Sequence, residues 1–173
     1  MAISLYDTSI GTYLQGLGAT ANILAKGAEY AAENNLDLGE IVETQLRSDM
    51  LPLRFQVVSV WHHSLGAING CREGVFSPPP PRGDLDYAGL QQLVADATTG
   101  LQAISEEEVN AMEGKSMKFQ MGEFEIPFTA ENFILTFSLP NFYFHATTAY
   151  DILRMAGTPL GKMDFLGQMR VGN

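Results

Sequence analysis

The sequence predicts an all-α protein, an antiparallel four-helix bundle with a small β-hairpin before its last helix. Three observations support this prediction: apolar residues recur at helical spacing over long stretches, most connections are short, and the spacing changes to alternation after Ser116. The chain has 173 residues, 46% of them apolar. That is enough for a single domain over residues 1–173 with a core of its own.

The first predicted helix begins near Ser4 and fades by Asn34. Its apolar stripe consists of Ile10, Leu14, Leu17, Ala21, Leu24 and Ala28. Gly11, Gly16 and Gly18 each weaken this helix by up to about 1 kcal/mol relative to alanine. We therefore expect a neighbouring backbone to pack closely against these glycines.

A second helical stretch runs from Leu38 to Met50 and meets Pro52, whose ring and missing N–H break a helix. Helical spacing then resumes and continues to about Gly70 or Gly74. The sequence thus predicts a second helix that is interrupted at its proline.

The segment from Ser77 to Gly83 contains four consecutive prolines, which exclude a helix or a central strand. We interpret it as a stiff connector within the domain rather than a site for proline-recognition modules. Asp84 or Asp86 then caps a third helix, and Ser105 begins a brief acidic one.

Residues 116–128 alternate between apolar and polar side chains and predict a β-hairpin that turns at Gly122. The last helix begins at Thr129 and ends near Ala156. Pro140 lies inside it, where a proline is expected to kink the helix.

The charge balance is acidic, with ten Lys and Arg against twenty Asp and Glu and a formal charge of −10. It disfavours nucleic acids and anionic membranes as partners, because both attract clustered basic residues. No apolar stretch approaches the roughly 18 residues of a membrane span. A lone cysteine, Cys71, and a start without a cationic leader predict a cytoplasmic protein.

Charged residues make up 17% of the chain, against about a quarter in an average globular domain. So few charges predict an exposed apolar patch that needs a second subunit. We therefore expect a homo-oligomer.

Two adjacent histidines lie on the second helix, and their neighbours on the helix differ. His62 shares a stripe with Phe55 and Val58, so we expect it to face the interior. His63 shares its side with Gln56 and other polar or small residues, so we expect it to be solvated.

On the last helix, Asn141 and His145 form an i, i+4 pair, and His145 continues a core-facing line. Together with His62, this pattern predicts that two imidazoles from facing helices converge inside the bundle. The alternative is that each is a neutral buried imidazole with one hydrogen-bond partner.

A bundle interior with such polar groups among aromatic walls is typical of a small-molecule pocket, although a fully packed interior fits equally well. The candidate catalytic residues are His62, His145 and Tyr150. The candidate ligand-binding residues are Trp61, Asn141, Phe142 and Thr148. The threonine can equally bond to a carbonyl of its own helix.

The segments Asn141–Arg154 and Gly157–Lys162 resemble the terminal signature of the DUF1993 family, a domain of unknown function. Asp49–Leu53, the proline-rich connector and the hairpin at Met121–Gly122 are similar too, so the resemblance covers nearly the whole chain. It implies a DinB/YfiT-like four-helix bundle that is usually dimeric, so we expect a homodimer. The better-known members of that superfamily bind a divalent metal through three histidines.

Those metal-binding relatives carry one histidine on the second helix and a His-x-x-x-His pair on the last. Here His145 matches the second member of the pair, but Asn141 occupies the place of the first. An amide oxygen is a weak ligand for zinc or nickel compared with imidazole. We therefore expect no metal cofactor, and if a divalent metal is bound, the ligand set implied is His62, Asn141 and His145.

Three functions remain open at this stage. The first is a small-molecule pocket protein that works as a metal-independent acid/base enzyme of the isomerase, cyclase or lyase type. In it His145, oriented by Asn141 and approached by His62, transfers the proton. The second is a DinB-like transferase or hydrolase that depends on a divalent metal held by a reduced ligand set. The third is a non-catalytic, dimeric interaction protein.

Overall fold

The protein is mostly helical and carries a small three-stranded sheet. A computed structural model describes residues 3–83 and 85–172. Its helices are α1 (Leu5–Glu33), α2 (Leu38–Val42), α3 (Leu53–Trp61), α4 (Ala67–Glu73), α5 (Tyr87–Gln102), α6 (Glu106–Asn110), α7 (Ala130–Phe133), α8 (Leu139–Met155) and α9 (Lys162–Leu166). Its strands are β1 (Val75–Phe76), β2 (Ser116–Met121) and β3 (Phe124–Thr129).

Two π-helical segments join these helices into longer runs. The first, His62–Gly66, connects α3 to α4, and the second, Ile134–Ser138, connects α7 to α8. Helices α1 and α3 each pack against both α5 and α8. The core lies among these four helices, and no described helix is both long enough and apolar enough to cross a membrane.

Helix α1 begins at a capping box in which the Ser4 side chain accepts from the Asp7 amide. A Cβ added at Gly16 would lie 2.4 Å from Cε1 of Phe142, so this glycine admits an aromatic side chain of α8. Nothing lies within 4 Å of a Cβ added at Gly18. The close packing expected at the α1 glycines is thus present at Gly16, against a side chain rather than a backbone, and absent at Gly18.

The prediction for the stretch Leu38–Met50 is wrong over most of its length, because α2 ends at Val42 and α3 begins at Leu53. The predicted continuation of the helix beyond Pro52 is confirmed. Ile41 and Val42 are the buried residues of α2, whereas Leu51 is 51% exposed. A stretch that offers the core so little apolar surface gains too little from packing to remain helical. Gln45 closes the intervening loop by donating to the Met50 carbonyl.

Helix α4 ends before Gly74, one of the two glycines at which the sequence predicts its end. Gly74 adopts a left-handed conformation with a φ of 76°. Asp86 caps α5 by accepting from the Gly89 amide at 2.8 Å. The alternative cap, Asp84, lies outside the described residues. Ser105 caps α6 in the same way, accepting from the Glu108 amide.

Strands β2 and β3 pair antiparallel, with Met121 opposite Phe124 across the turn. Strand β1 adds in parallel to the other side of β2 and is not predicted by the sequence. A strand of two residues is too short for alternation to reveal it. The sheet places Phe76, the last residue of β1, next to the histidines of the first π-helical segment.

The last helical run is interrupted ahead of Pro140 by the second π-helical segment, Ile134–Ser138. Proline has no N–H, so the carbonyl of Thr136 cannot receive the usual helical hydrogen bond from residue 140. A π-helical segment is one way in which a helix accommodates such a gap. The run therefore continues past its proline to Met155.

Candidate functional site

The three imidazoles form a series of ring contacts in which His63, and not His62 as expected, is the neighbour of His145. His63 faces His145, with ring centroids 6.0 Å apart and ring planes only 16° from parallel. His62 contacts His63, with ring centroids 5.6 Å apart, and makes no ring contact with His145 among the described residues. His63 is therefore the imidazole of the α3–α4 run that meets α8.

The prediction that His63 is solvated is wrong, because only 7% of this residue is exposed. Its helical neighbours Gln56 and Ser59 are buried as well, each 2% exposed. Helix α3 is covered by other elements on every side at this level, so its polar residues are buried along with its apolar ones. The polar side of a helix faces water only where no other element covers it.

Both π-helical segments meet at the histidine cluster. The hydroxyl of Ser138, the last residue of the second segment, donates to the carbonyl of His63 in the first at 2.8 Å. The buried Tyr13 hydroxyl donates in turn to Oγ of Ser138 at 2.9 Å. These bonds fix the backbone of His63 against the helix that carries His145, and π-helical segments occur frequently at functional sites.

His62 is held by the start of the proline-rich connector. Its Nε2 lies 2.7 Å from the carbonyl of Ser77, and a carbonyl only accepts, so this nitrogen carries the hydrogen. The ring stacks on Phe76 with centroids 4.2 Å apart. Burial lowers the pKa of His62, and the bond to Ser77 partly opposes that shift. Its other nitrogen, Nδ1, faces its own helix near Gly66.

The side-chain amide of Gln56 holds His145, and a second hydrogen bond fixes the orientation of that amide. The Nε2 group of Gln56 donates to the carbonyl of Leu51 at 2.7 Å, so Oε1 of the same amide faces His145. Nδ1 of His145 lies 2.8 Å from that oxygen and must therefore carry the hydrogen. Nε2 of His145 has no hydrogen-bond partner within the described residues. It presents an unshared lone pair.

The three rings remain neutral in the folded protein. Burial lowers the pKa of His145 to about 4. Burial, together with repulsion from positive charge on His62 or His145, lowers the pKa of His63 to about 3. Nδ1 of His63 is buried and, among the described residues, finds no partner. At neutral pH the cluster therefore offers proton acceptors and no permanent charge.

The predicted ligand-binding residues of α8 are engaged elsewhere. The Asn141 amide donates to the carbonyl of Phe137 at 2.7 Å, so it is Gln56 and not Asn141 that orients His145. The Thr148 hydroxyl donates to the carbonyl of Phe144, which is the alternative that a helical threonine usually takes.

The remaining predicted aromatic residues lie around different parts of the core. Phe142 is fully buried against Tyr13, with ring centroids 5.3 Å apart. Tyr150 packs against Phe165 of α9 at 5.8 Å, and no ring contact joins it to a histidine in the described part of the chain. Trp61 lies beneath the guanidinium of Arg82, which is 4.5 Å from the ring centroid.

A cavity of about 320 Å³ lies beside the cluster, under the proline-rich connector. Phe55 forms part of its wall and also contacts His145, with ring centroids 5.7 Å apart. The histidines themselves do not line this cavity. Phe55 thus separates the cavity from the imidazole with the free lone pair.

Comparison with known sequences identifies the family. The family described as domain of unknown function (DUF1993) matches residues 5–166 of this chain. The chain belongs to the DUF1993 family. The resemblance seen in residues 141–162 is thereby confirmed.

This DUF1993 chain is also similar to a solved structure, a DinB family member protein from Shewanella denitrificans. The two are 26% identical, the TM-score is 0.79, and the match covers 98% of this chain and 95% of the other. No curated protein matches the chain. The neighbour supports a DinB-like superfamily for this DUF1993 protein.

The metal ligands that a DinB-like superfamily implies are not assembled here. In the described residues no group of three or more His, Cys, Asp or Glu is placed to hold an ion. In the implied ligand set, Nε2 of His62 donates to a carbonyl, and the amide nitrogen of Asn141 holds that side chain to its own helix. His62 and His145 make no ring contact among the described residues. These residues do not fit a divalent metal.

Proposed function

We propose that this DUF1993 protein is a small-molecule-binding, metal-independent acid/base enzyme built on a DinB-like antiparallel four-helix bundle. The observation that carries the proposal is the state of His145. Gln56, itself held by Leu51, accepts the Nδ1 hydrogen and leaves the Nε2 lone pair without a partner. A neutral imidazole with one fixed and one free nitrogen is suited to accept a proton and return it.

The chemistry that this arrangement supports is proton transfer without a change of oxidation state. Nε2 of His145 would take a proton from an acidic C–H or O–H group of the ligand and return it to another atom of the same molecule. Isomerisation and cyclisation follow this course. In an elimination the proton goes instead to the leaving group, whose bond to carbon breaks as the double bond forms. Oε1 of Gln56 would stabilise the imidazolium by accepting its Nδ1–H, as the orienting group of a catalytic histidine does.

Hydrogen–deuterium exchange tests this proposal even though the substrate is unidentified. A panel of enolisable ketones, aldehydes and 2-oxo acids is incubated with the protein in D₂O, and proton NMR follows the loss of the α-proton signals. We expect the wild-type protein to accelerate exchange for the compounds that it binds. His145→Gln should lose at least about tenfold of that rate, because removing a positioned base typically costs about 10²–10⁴-fold.

Tyr30→Phe serves as the matched control, because Tyr30 lies on α1 beside Gly157 and makes no ring contact with a histidine within the described residues. Its exchange rate should equal that of the wild type. Equal rates in wild type and His145→Gln would contradict the assignment of His145 as the base.

A second candidate, a dimeric interaction protein, is favoured by the exposed side of α8. Phe144 is 57% exposed and Tyr143 45% exposed. Tyr143 lies between two open grooves, one reaching Leu135 and Leu139 and the other Met50 and Phe144. An apolar surface of this kind is typical of a subunit contact. The two candidates are compatible, because the histidines lie inside the protein and this surface lies outside.

A further inference from the structure

We infer that the cavity beneath the proline-rich connector is a binding site for a small aromatic carboxylate. The inference does not rest on the acid/base function, because no histidine lines this cavity. We call the connector segment Ser77–Gly83 the strap.

The strap is attached at three points to α3 and the π-helical segment that follows it. Nε2 of His62 donates to the carbonyl of Ser77 at 2.7 Å, Arg82 lies over the ring of Trp61, and Nη1 of Arg54 donates to the carbonyl of Gly83. Four prolines stiffen the chain between these points. The strap therefore spans α3 as a preformed arch, and the space beneath it needs little ordering when a ligand enters.

The walls of the cavity are apolar and rigid. They are formed by Phe55 and Val58 of α3 below and by Pro79, Pro80 and Pro81 of the strap above. The volume, about 320 Å³, falls within the range of about 300–1,000 Å³ in which small-molecule sites are found. Flat proline and phenylalanine surfaces on opposite sides favour a flat ring between them.

The charge of the cavity is positive, although the protein as a whole carries −10. Arg54 and Arg82 both line it, and no carboxylate does so among the described residues. Glu43 forms an ion pair with Arg54, whereas Arg82 has no ion pair within the described part of the chain. The site thus has a guanidinium available to an anion.

Two hydrogen-bond donors at this site lack acceptors. Nε of Arg54 and Nε of Arg82 are each buried, and neither has a partner among the described residues. A buried N–H group without an acceptor is unfavourable. A carboxylate offers an acceptor and can bind a guanidinium through two parallel hydrogen bonds. An aromatic ring with one carboxylate therefore matches both the walls and the donors.

Trp61 provides the measurement, because it is the single tryptophan of the chain and its ring contacts Arg82. The protein is titrated with phenylacetate, and tryptophan fluorescence is recorded, with isothermal titration calorimetry as a second readout. Phenylacetamide, which keeps the ring and removes the charge, is the matched ligand. We expect saturable binding of phenylacetate and at least tenfold weaker binding of phenylacetamide.

Arg82→Gln should weaken the binding of phenylacetate at least tenfold and remove the preference for it over the amide. Arg72→Gln is the control variant, because Arg72 pairs with Glu108 and does not line the cavity. Its affinity should equal that of the wild type.

Three results would overturn the inference: no saturable binding of phenylacetate, equal affinity for phenylacetamide, or unchanged affinity in Arg82→Gln. If Arg82→Gln does not fold, the comparison of the two ligands on the wild-type protein decides. Failure of this test leaves the exchange experiment on His145 unaffected, because the two use different readouts and different residues.

Discussion

At the scale of single residues, the site depends on which atoms of each imidazole are already bound. Gln56 binds Nδ1 of His145 and Ser77 binds Nε2 of His62, so each of these rings has one defined tautomer. His63 has no such partner at Nδ1 among the described residues. The cluster therefore combines two fixed rings with one that is held by burial alone.

Burial of these neutral rings makes the stability of the protein depend on pH. In the unfolded chain a histidine has a pKa of about 6.5, whereas in the folded protein the pKa of His145 is about 4 and that of His63 about 3. Between these values the unfolded state binds more protons, so the free energy of unfolding falls as the pH falls. Each ring contributes up to about 1.4 kcal/mol per pH unit.

We predict that urea unfolding measured between pH 6.5 and pH 5 shows this loss of stability. His63→Gln should reduce the slope by up to about 1.4 kcal/mol per pH unit, because one titrating group is removed. His145→Gln should reduce it in the same direction. A slope that is unchanged in both variants would show that these rings are not buried neutral groups.

At the scale of whole elements, the predictions succeeded where the determining signals are local. Gly74 ends α4 because a left-handed residue is needed there, and Asp86 begins α5 because its side chain caps the amide of Gly89. Both signals lie within a few residues of the end that they mark. The predicted helix over 38–50 failed because no local signal showed how little of its surface the core would cover.

The two π-helical segments illustrate the same limit. Pro140 predicts an irregularity in the last helical run, and the π-helical segment lies directly before it. The first segment, His62–Gly66, contains no proline, and its π-helical form could not be predicted from its residues. The contact between Ser138 and the His63 carbonyl links the two segments across 75 residues of chain. Only packing between the helices brings them together.

The packing of α1 against α8 provides a prediction at this scale. Gly16→Ala should destabilise the protein by about 1–3 kcal/mol, because the new Cβ would lie 2.4 Å from Cε1 of the fully buried Phe142. Gly18→Ala, two residues away in the same helix, has nothing within 4 Å and should stabilise the protein by up to about 1 kcal/mol. Chemical denaturation of the two variants measures both effects.

The opposite signs follow from packing alone, since both substitutions make the same change to the intrinsic helix propensity of α1. Equal effects of the two substitutions would mean that Phe142 moves aside freely. The close approach of α1 and α8 at this point would then not contribute to stability.

At the scale of the whole molecule, the predicted homodimer and the exposed side of α8 belong together. We predict that Phe144→Glu weakens self-association at least about tenfold, because it places a carboxylate in the apolar surface beside Tyr143. Size-exclusion chromatography with light scattering over a range of concentrations measures this shift.

Phe124→Glu is the matched control. Phe124 is 55% exposed, against 57% for Phe144, but it lies at the start of β3 and outside both grooves. Its self-association should equal that of the wild type. A wild-type protein that is monomeric at every concentration tested would contradict the dimer, and equal effects of the two substitutions would contradict its placement on α8.

The sequence by itself determined the family, the mostly helical fold and most helix ends. These properties depend on local spacing, on caps and turns within a few residues, and on a terminal signature that is continuous in the chain. The tertiary structure alone decided that His63 and not His62 meets His145, that Gln56 and not Asn141 orients it, and that the prolines form an arch over a cavity. Each of these depends on contacts between residues far apart in sequence. The burial of His63 also depends on α3 being covered on every side, because the pattern of polar and apolar residues then no longer indicates which face meets water.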